Sequence, residues 1–242
     1  MNSYEANVKR ELRAWQRQMQ KKPNFLNRFT KKIQVKINHF IPEKVHKAIT
    51  ATIKQMIRGV LFGATLATSK PETIQSLQIT EAVLKERIEM YKKSAAAEGG
   101  ITGAGGILMS FADFPILIGI KMKMLFDIAS KYGYDVSDYK ERLYILQVFQ
   151  LAFSSAQHRN KVYQEMTNWN QKAATLPEDI HQFDWRNFQQ EYRDYIDLAK
   201  LAQMIPVVGA AVGLVVNYRL LKKLGETATN AYRMRLNEDG LL

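Results

Sequence analysis

The chain has no cysteine among its 242 residues. That excludes disulfides, thiolate metal sites and cysteine nucleophiles, and it fits a reducing compartment. Runs of β-branched residues alternating with polar ones are scarce, and so are hairpin dipeptides. The one short alternating stretch is "KKIQVKIN", and its wider context keeps helical spacing. The N-terminus "MNSYEANVKRELRAWQ" is charged and lacks the apolar core of a secretory signal. Long hydrophobic runs are also lacking. Leu201–Tyr218 is uncharged but contains Gln203, Pro206 and Asn217, and Gly99–Ile120 contains Asp113. A span needs about 20 mainly apolar residues, and a carboxylate within it is costly. Both stretches therefore point to a soluble or peripheral protein.

Acidic residues are few where basic ones are many. Residues 1–60 carry 14 Lys/Arg but only Glu5, Glu11 and Glu43 as acids, so this end holds +11 of the total +12. A basic end on a neutral body favours an anionic partner surface, phospholipid or nucleic acid. The candidate contacts are Arg10, Arg13, Arg17, Lys21, Lys22, Arg28, Lys31, Lys32 and Lys36. No helix-turn-helix, RNA-recognition or zinc-finger pattern accompanies them, so lipid is preferred to nucleic acid. Trp15, Phe25, Phe29 and Phe40 are either inserting aromatics or core residues.

Helical spacing runs through nearly the whole chain. Tyr4, Val8, Leu12, Trp15 and Met19 make one stripe, up to Pro23. Leu26, Phe29, Ile33, Ile37, Phe40 and Ile41 make a second, ended by Pro42. Residues 43–68 predict a third helix. "SKPET" predicts a restart with Ser69 as N-cap and Pro71 in the first turn. Asp138 and Glu141 predict a capping box for a helix to about residue 155. A long helix is expected from Asp184 to Met204, and a last one from Pro206 toward Leu236.

Five glycines fall between Gly99 and Gly106. A phosphate loop would need Lys and Ser/Thr after the last of them, where Ile107 and Leu108 stand. A dinucleotide fingerprint would need a third glycine at Leu108 and a strand upstream, where "ERIEMYKKSAAA" reads as helix. A spacing explains the glycines better. Gly59 and Gly63, Gly99 and Gly103, and Gly209 and Gly213 are each four apart, leaving a bare strip on which another helix can pack closely. Each glycine in a helix costs about 1 kcal/mol against alanine, so such helices need strong packing.

Other chemistry is thinly represented. The histidines, His39, His46, His158 and His181, have no zinc-binding spacing, and there is no His-Glu-x-x-His or Gly-x-Ser-x-Gly. On one continuous helix Glu98 and Asp113 would sit about 22 Å apart, too far to cooperate. Asp113 precedes Phe114-Pro115, which predicts a break with Asp113 capping the helix that restarts there. The alternative role for Asp113 is a polar anchor in an apolar pocket, opposite Asn217. The segments 95–134 and 201–235 share one plan: small residues, one polar residue (Asp113, Asn217), then a basic continuation reaching "IASKYGY" and "TNAYRMR".

Three stretches carry a family resemblance: "AAAEGGITGAGGILMSFADFPILIGIKMKMLFDIASKYGYD", "ERLYILQVFQLAF" and "IPVVGAAVGLVVNYRLLKKLGETATNAYRMRL". In this order they resemble the EcsC protein family, over roughly residues 45–236. The family is named for a bacterial product encoded alongside an ABC-transporter ATPase and its membrane subunit. The resemblance implies a bacterial cytoplasmic or membrane-associated setting, with an ABC-transporter subunit as a candidate partner. It supplies no catalytic residues.

The sequence thus predicts an all-α, multi-helix bundle with Gly-rich, closely packed central helices. It divides into a basic amphipathic segment, 1–42, and an EcsC-like helical domain, 43–242. The expected role is non-enzymatic and peripheral at the cytoplasmic membrane face, without metal or cofactor. The alternative is an enzyme acting on a lipid-like substrate in an apolar pocket.

Overall fold

A computed structural model of the chain describes residues 3–21, 43–63, 70–74, 76–104, 106–155, 157–197, 201 and 210–242, without the side chains of 44–46, 98–104, 106–113 and 210–213. The second stripe, "KKIQVKIN" and Phe25, Phe29 and Phe40 lie outside the described residues. The described elements are α1 (Ser3–Gln20), α2 (Glu43–Phe62), α3 (Leu77–Ala104), α4 (Gly106–Lys131), α5 (Tyr139–Phe153), α6 (Arg159–Met166), α7 (Trp169–Thr175), a 3-10 turn (Ile180–Gln182), α8 (Trp185–Tyr195) and α9 (Ala210–Glu238). Among the described residues there is no strand, only an isolated bridge between Ser154 and Ile196. The protein is an all-α helical bundle.

Three long helices set its frame. α3 and α4 pack antiparallel, with Glu81 level with Tyr132 and Tyr91 level with Asp127, and the glycine-rich stretch is helical up to Ala104 and again from Gly106. This places Glu98 and Asp113 on different helices rather than on one. α9 packs antiparallel on α3, with Glu81 level with Arg233 and Glu89 level with Tyr218. It runs parallel to α4, held at Lys121–Asn217 and Tyr132–Tyr232. The two segments of shared plan therefore lie side by side. α5, which has no glycine, is the most enclosed helix, with eleven of its fifteen residues buried. Its Leu146, Phe149 and Phe153 join Leu125 and Phe126 of α4 and Leu224 of α9 in one core. Burying each such side chain contributes about 1.5–3 kcal/mol.

α1 docks on α6, α9 and α3 through the stripe its periodicity predicts. Val8, Leu12 and Met19 are buried, and Trp15 meets the Tyr163 ring edge-on at 5.8 Å. Trp15 thus packs, partly buried, against the body of the bundle. Glu5 in the first turn and Arg17 in the last complement the helix dipole.

Several boundaries differ from expectation for physical reasons. Pro115 does not break the chain: α4 continues through it as one helix. The lost N–H bond is offset by Phe114, Leu117 and Ile118, all buried around it. Asp113 is consequently mid-helix, and no helix begins there for it to cap. No helix restarts at Pro71. Residues 70–74 form an irregular strap on the end of α4, where Glu72 N–H donates to Ser130 O at 2.9 Å and Lys131 pairs with Glu72. Gly133, at φ +82°, turns the chain there, and a side chain would press on Glu72 O at 3.1 Å. α2 stops at Phe62, and α8 stops at Tyr195 rather than Met204. Past Tyr195 the backbone turns extended, and Asp197 N–H donates to Phe153 O at 3.0 Å instead of continuing the helix. Asp138 does cap α5, accepting from Lys140 N–H, but Glu141 turns inward instead of closing the box.

Candidate functional site

At one end of the bundle α9 carries "AYRMRL", residues 231–236, and all six are buried. A helical turn enclosed on every side must pair its charges internally. Arg233 forks onto Glu81 of α3, with Nε donating to Oε1 at 2.7 Å and Nη2 to Oε2 at 2.5 Å. Its Nη1 reaches Glu11 of α1 at 2.9 Å. Tyr4 adds a bond to Glu81 Oε2 at 2.5 Å, and Tyr132 one to Oε1 at 2.9 Å. Glu81 therefore accepts four bonds, which fills its lone pairs and leaves none to take a proton from a ligand. Burial, with Glu81 as bond partner, pushes the Tyr4 phenol up to about 12.

Arg235 makes the second joint. It pairs with Glu141 of α5 and lies over the rings of Tyr134 and Tyr144, 3.8 and 4.7 Å from their centres. Tyr232 donates to Glu141 at 2.7 Å. Burial raises the Glu141 carboxyl, and the charge of Arg235 opposes that rise. Through these two arginines α9 clasps α1, α3 and α5. Sequence reasoning missed the joints. The available signal was two arginines two apart inside an otherwise apolar helical turn. A cavity of about 550 Å³, lined by Tyr4, Glu72, Tyr132, Tyr134 and Asp239, opens beside them. Glu72 and Asp239 are engaged at its wall, by Lys131 and by Tyr134.

The α4–α9 seam holds a different group. Lys121 is fully buried, and its ammonium donates to Leu117 O at 3.2 Å and Asn217 Oδ1 at 3.4 Å. No carboxylate accompanies it among the described residues. Desolvation lowers its pKa from 10.5 to about 7. Asn217, expected to face Asp113, is thus the partner of Lys121. The Asp113 side chain lies outside the described residues.

The basic candidates fall into two groups. Arg10, Arg13 and Arg17 are exposed, on the side of α1 away from the core, and Lys21 is exposed just past its end. Arg13 and Arg17 donate to carbonyls of their own helix, and Arg10 to Asn7. Lys22, Arg28, Lys31, Lys32 and Lys36 lie outside the described residues.

The glycine strips are corrected in part. A side-chain carbon at Gly59 would meet nothing within 4 Å among the described residues, so no helix approaches there. At Gly63 the added carbon would lie 2.2 Å from Gly59 O, a constraint from its own chain end. Gly99, Gly103 and Gly213 are helical, with surroundings outside the described residues, as is Gly209 altogether. The close approach is elsewhere: a carbon added to Gly225 of α9 would meet Ile88 Cγ2 of α3 at 2.8 Å. Its signal was Gly225, Ala228 and Ala231 at spacing three rather than four.

Comparison with known proteins agrees with this architecture's sequence signature. Protein EcsC of Bacillus subtilis (strain 168) is 46% identical over 223 residues, 92% of this chain and 92% of that protein. The uncharacterized protein YdbA of the same organism is 26% identical over 246 residues, 93% of this chain and 90% of that protein. No solved structure matches. The EcsC protein family model covers residues 6–236, and the chain belongs to that family.

Proposed function

We propose that this is a non-enzymatic helical protein that works peripherally at the cytoplasmic face of the cell membrane, with α1 as its contact to anionic lipid. The carrying observation is the stripe Arg10, Arg13, Arg17 and Lys21. It is exposed, at helical spacing, and without a carboxylate partner among the described residues. The other face of α1 is fixed by Tyr4–Glu81, Glu11–Arg233 and Trp15–Tyr163. The cations are therefore already arranged in a row, so binding needs little further ordering. No helix among the described residues is long and apolar enough to cross a membrane, in keeping with a reading of surface contact. An ABC-transporter subunit is the proposed protein partner, on the strength of the family's gene setting alone.

The test is flotation with phosphatidylcholine vesicles, with and without phosphatidylglycerol. Each Lys or Arg near an anionic surface contributes about 1 kcal/mol. Arg10→Gln, Arg13→Gln and Arg17→Gln together should weaken binding by roughly two orders of magnitude at low salt. Binding should also fall as salt rises. Equal binding to neutral and anionic vesicles would refute the reading.

A further inference from the structure

We infer that the groove between α2 and α8, lined by Lys54, Arg186 and Arg193 over Ile53 and Ile57, is a binding site for a phosphate-bearing anion. The sequence "FDWRNFQQEYRDYIDLAK" reads as an ordinary charged surface helix. The fold gives its charges a direction. Arg186 and Arg193 are seven apart, two helical turns, and line the same groove with Gln189 and Gln190 between them. From α2, Thr50 and Lys54 line the facing wall. The groove holds about 250 Å³, room for a phosphate and a small substituent.

The lining residues fit that chemistry. Every polar one can donate a hydrogen bond: two guanidinium forks, one ammonium, two carboxamides and one hydroxyl. Among the described residues no carboxylate lines the groove. Asp194 pairs with Arg193 at 3.3 Å where both are half-exposed, so solvent screens that pair. Three cations against this one acid leave a charge that a phosphate dianion balances. Ile53 and Ile57 are buried, so the floor is dry and strengthens bonds made above it. Guanidinium forks match carboxylate and phosphate oxygens alike, and it is the surplus of positive charge in the lining that favours a phosphate dianion over a singly charged carboxylate.

The groove is built into the core. Tyr192 of α8 donates to Leu146 O at 2.9 Å, and Gln150 donates back to Tyr192 O at 3.2 Å. At the end of α2, Phe62 meets the Trp185 ring at 5.4 Å and stacks over His181 at 6.1 Å. The two helices are thus fixed on both sides of the site before any ligand arrives.

The test uses the full chain, isothermal calorimetry at constant ionic strength, and two kinds of probe. Inorganic phosphate and glycerol 3-phosphate represent a free metabolite. Vesicles with phosphatidic acid represent a lipid headgroup. The variants are Arg186→Gln with Arg193→Gln, and separately Lys54→Gln. All three residues are exposed, so melting temperatures should not change. Saturable binding of the free anions, weakened roughly tenfold or more in each variant, establishes a soluble ligand. If only phosphatidic acid vesicles respond to the variants, while phosphatidylglycerol vesicles do not, the site takes a lipid headgroup. If neither probe separates wild type from variants, the site is refuted. The triple α1 variant should keep its groove binding, so failure here and failure of the membrane reading are told apart.

Discussion

Lys121 Nζ lies 3.4 Å from Asn217 Oδ1 in the closed seam between α4 and α9, with no carboxylate beside it among the described residues. An ammonium held only by neutral oxygens is poorly compensated, and burial lowers its pKa from 10.5 to about 7. Between those values the unfolded chain keeps the proton and the native chain has lost it. Stability must therefore rise with pH through that window and level off below it. The full effect is on the order of 5 kcal/mol. Lys121→Met should raise the melting temperature at pH 7 and abolish the rise between pH 7 and 10. Urea titrations across pH check this. An unchanged pH slope in the variant would show that Lys121 is not the source.

The Arg233–Glu81 joint gives a second test. Removing one partner leaves the other buried and unpaired, which costs about 3–5 kcal/mol. Arg233→Met should therefore destabilise strongly. It should also loosen α1, because Glu11 loses its partner and Glu81 no longer presents a fixed acceptor to Tyr4. Hydrogen exchange should accelerate in α1 before it does in α5. Uniform acceleration over all helices would mean that the joint does not control α1 docking.

Two glycines should respond in opposite directions. Gly225→Ala places a carbon 2.8 Å from Ile88 Cγ2, an atom fixed by β-branching, and should cost about 1–3 kcal/mol. Ile88→Ala in the same chain should relieve part of that cost, giving a measurable coupling. Gly59→Ala meets open space in a helix and should stabilise by up to about 1 kcal/mol. Thermal melts of the wild type, the single variants Gly225→Ala, Ile88→Ala and Gly59→Ala, and the double variant decide the matter. Equal tolerance at both sites would remove the claim that α3 and α9 meet closely at Gly225.

The helices were legible because their cause is local. The apolar positions of α1, Val8, Leu12 and Met19, recur every turn, and that recurrence alone predicts both the helix and its buried face. The Asp138 cap was legible for the same reason, since the side chain and the N–H it accepts from are two residues apart. That no helix among the described residues is long and apolar enough to cross a membrane is likewise a property of composition.

What the sequence could not place were contacts whose partners are far apart along the chain. Arg233 and Glu81 are separated by 152 residues, and nothing in "YRMR" names its acid. Pro115 looked like a break because the local penalty is visible, whereas the packing of Phe114, Leu117 and Ile118 that offsets it is not. The end of α8 depends on Phe153 O, which becomes an acceptor only once α5 is in place. Gly59 and Gly225 are the same residue type in helices, and only the tertiary structure decides which one another helix approaches. Periodicity fixes which face of each helix is apolar. The pairing of those faces, and with it the burial of Lys121 and the row of cations above Ile53 and Ile57, follows from three-dimensional packing, because side-chain volume and charge are matched only between helices that have already met.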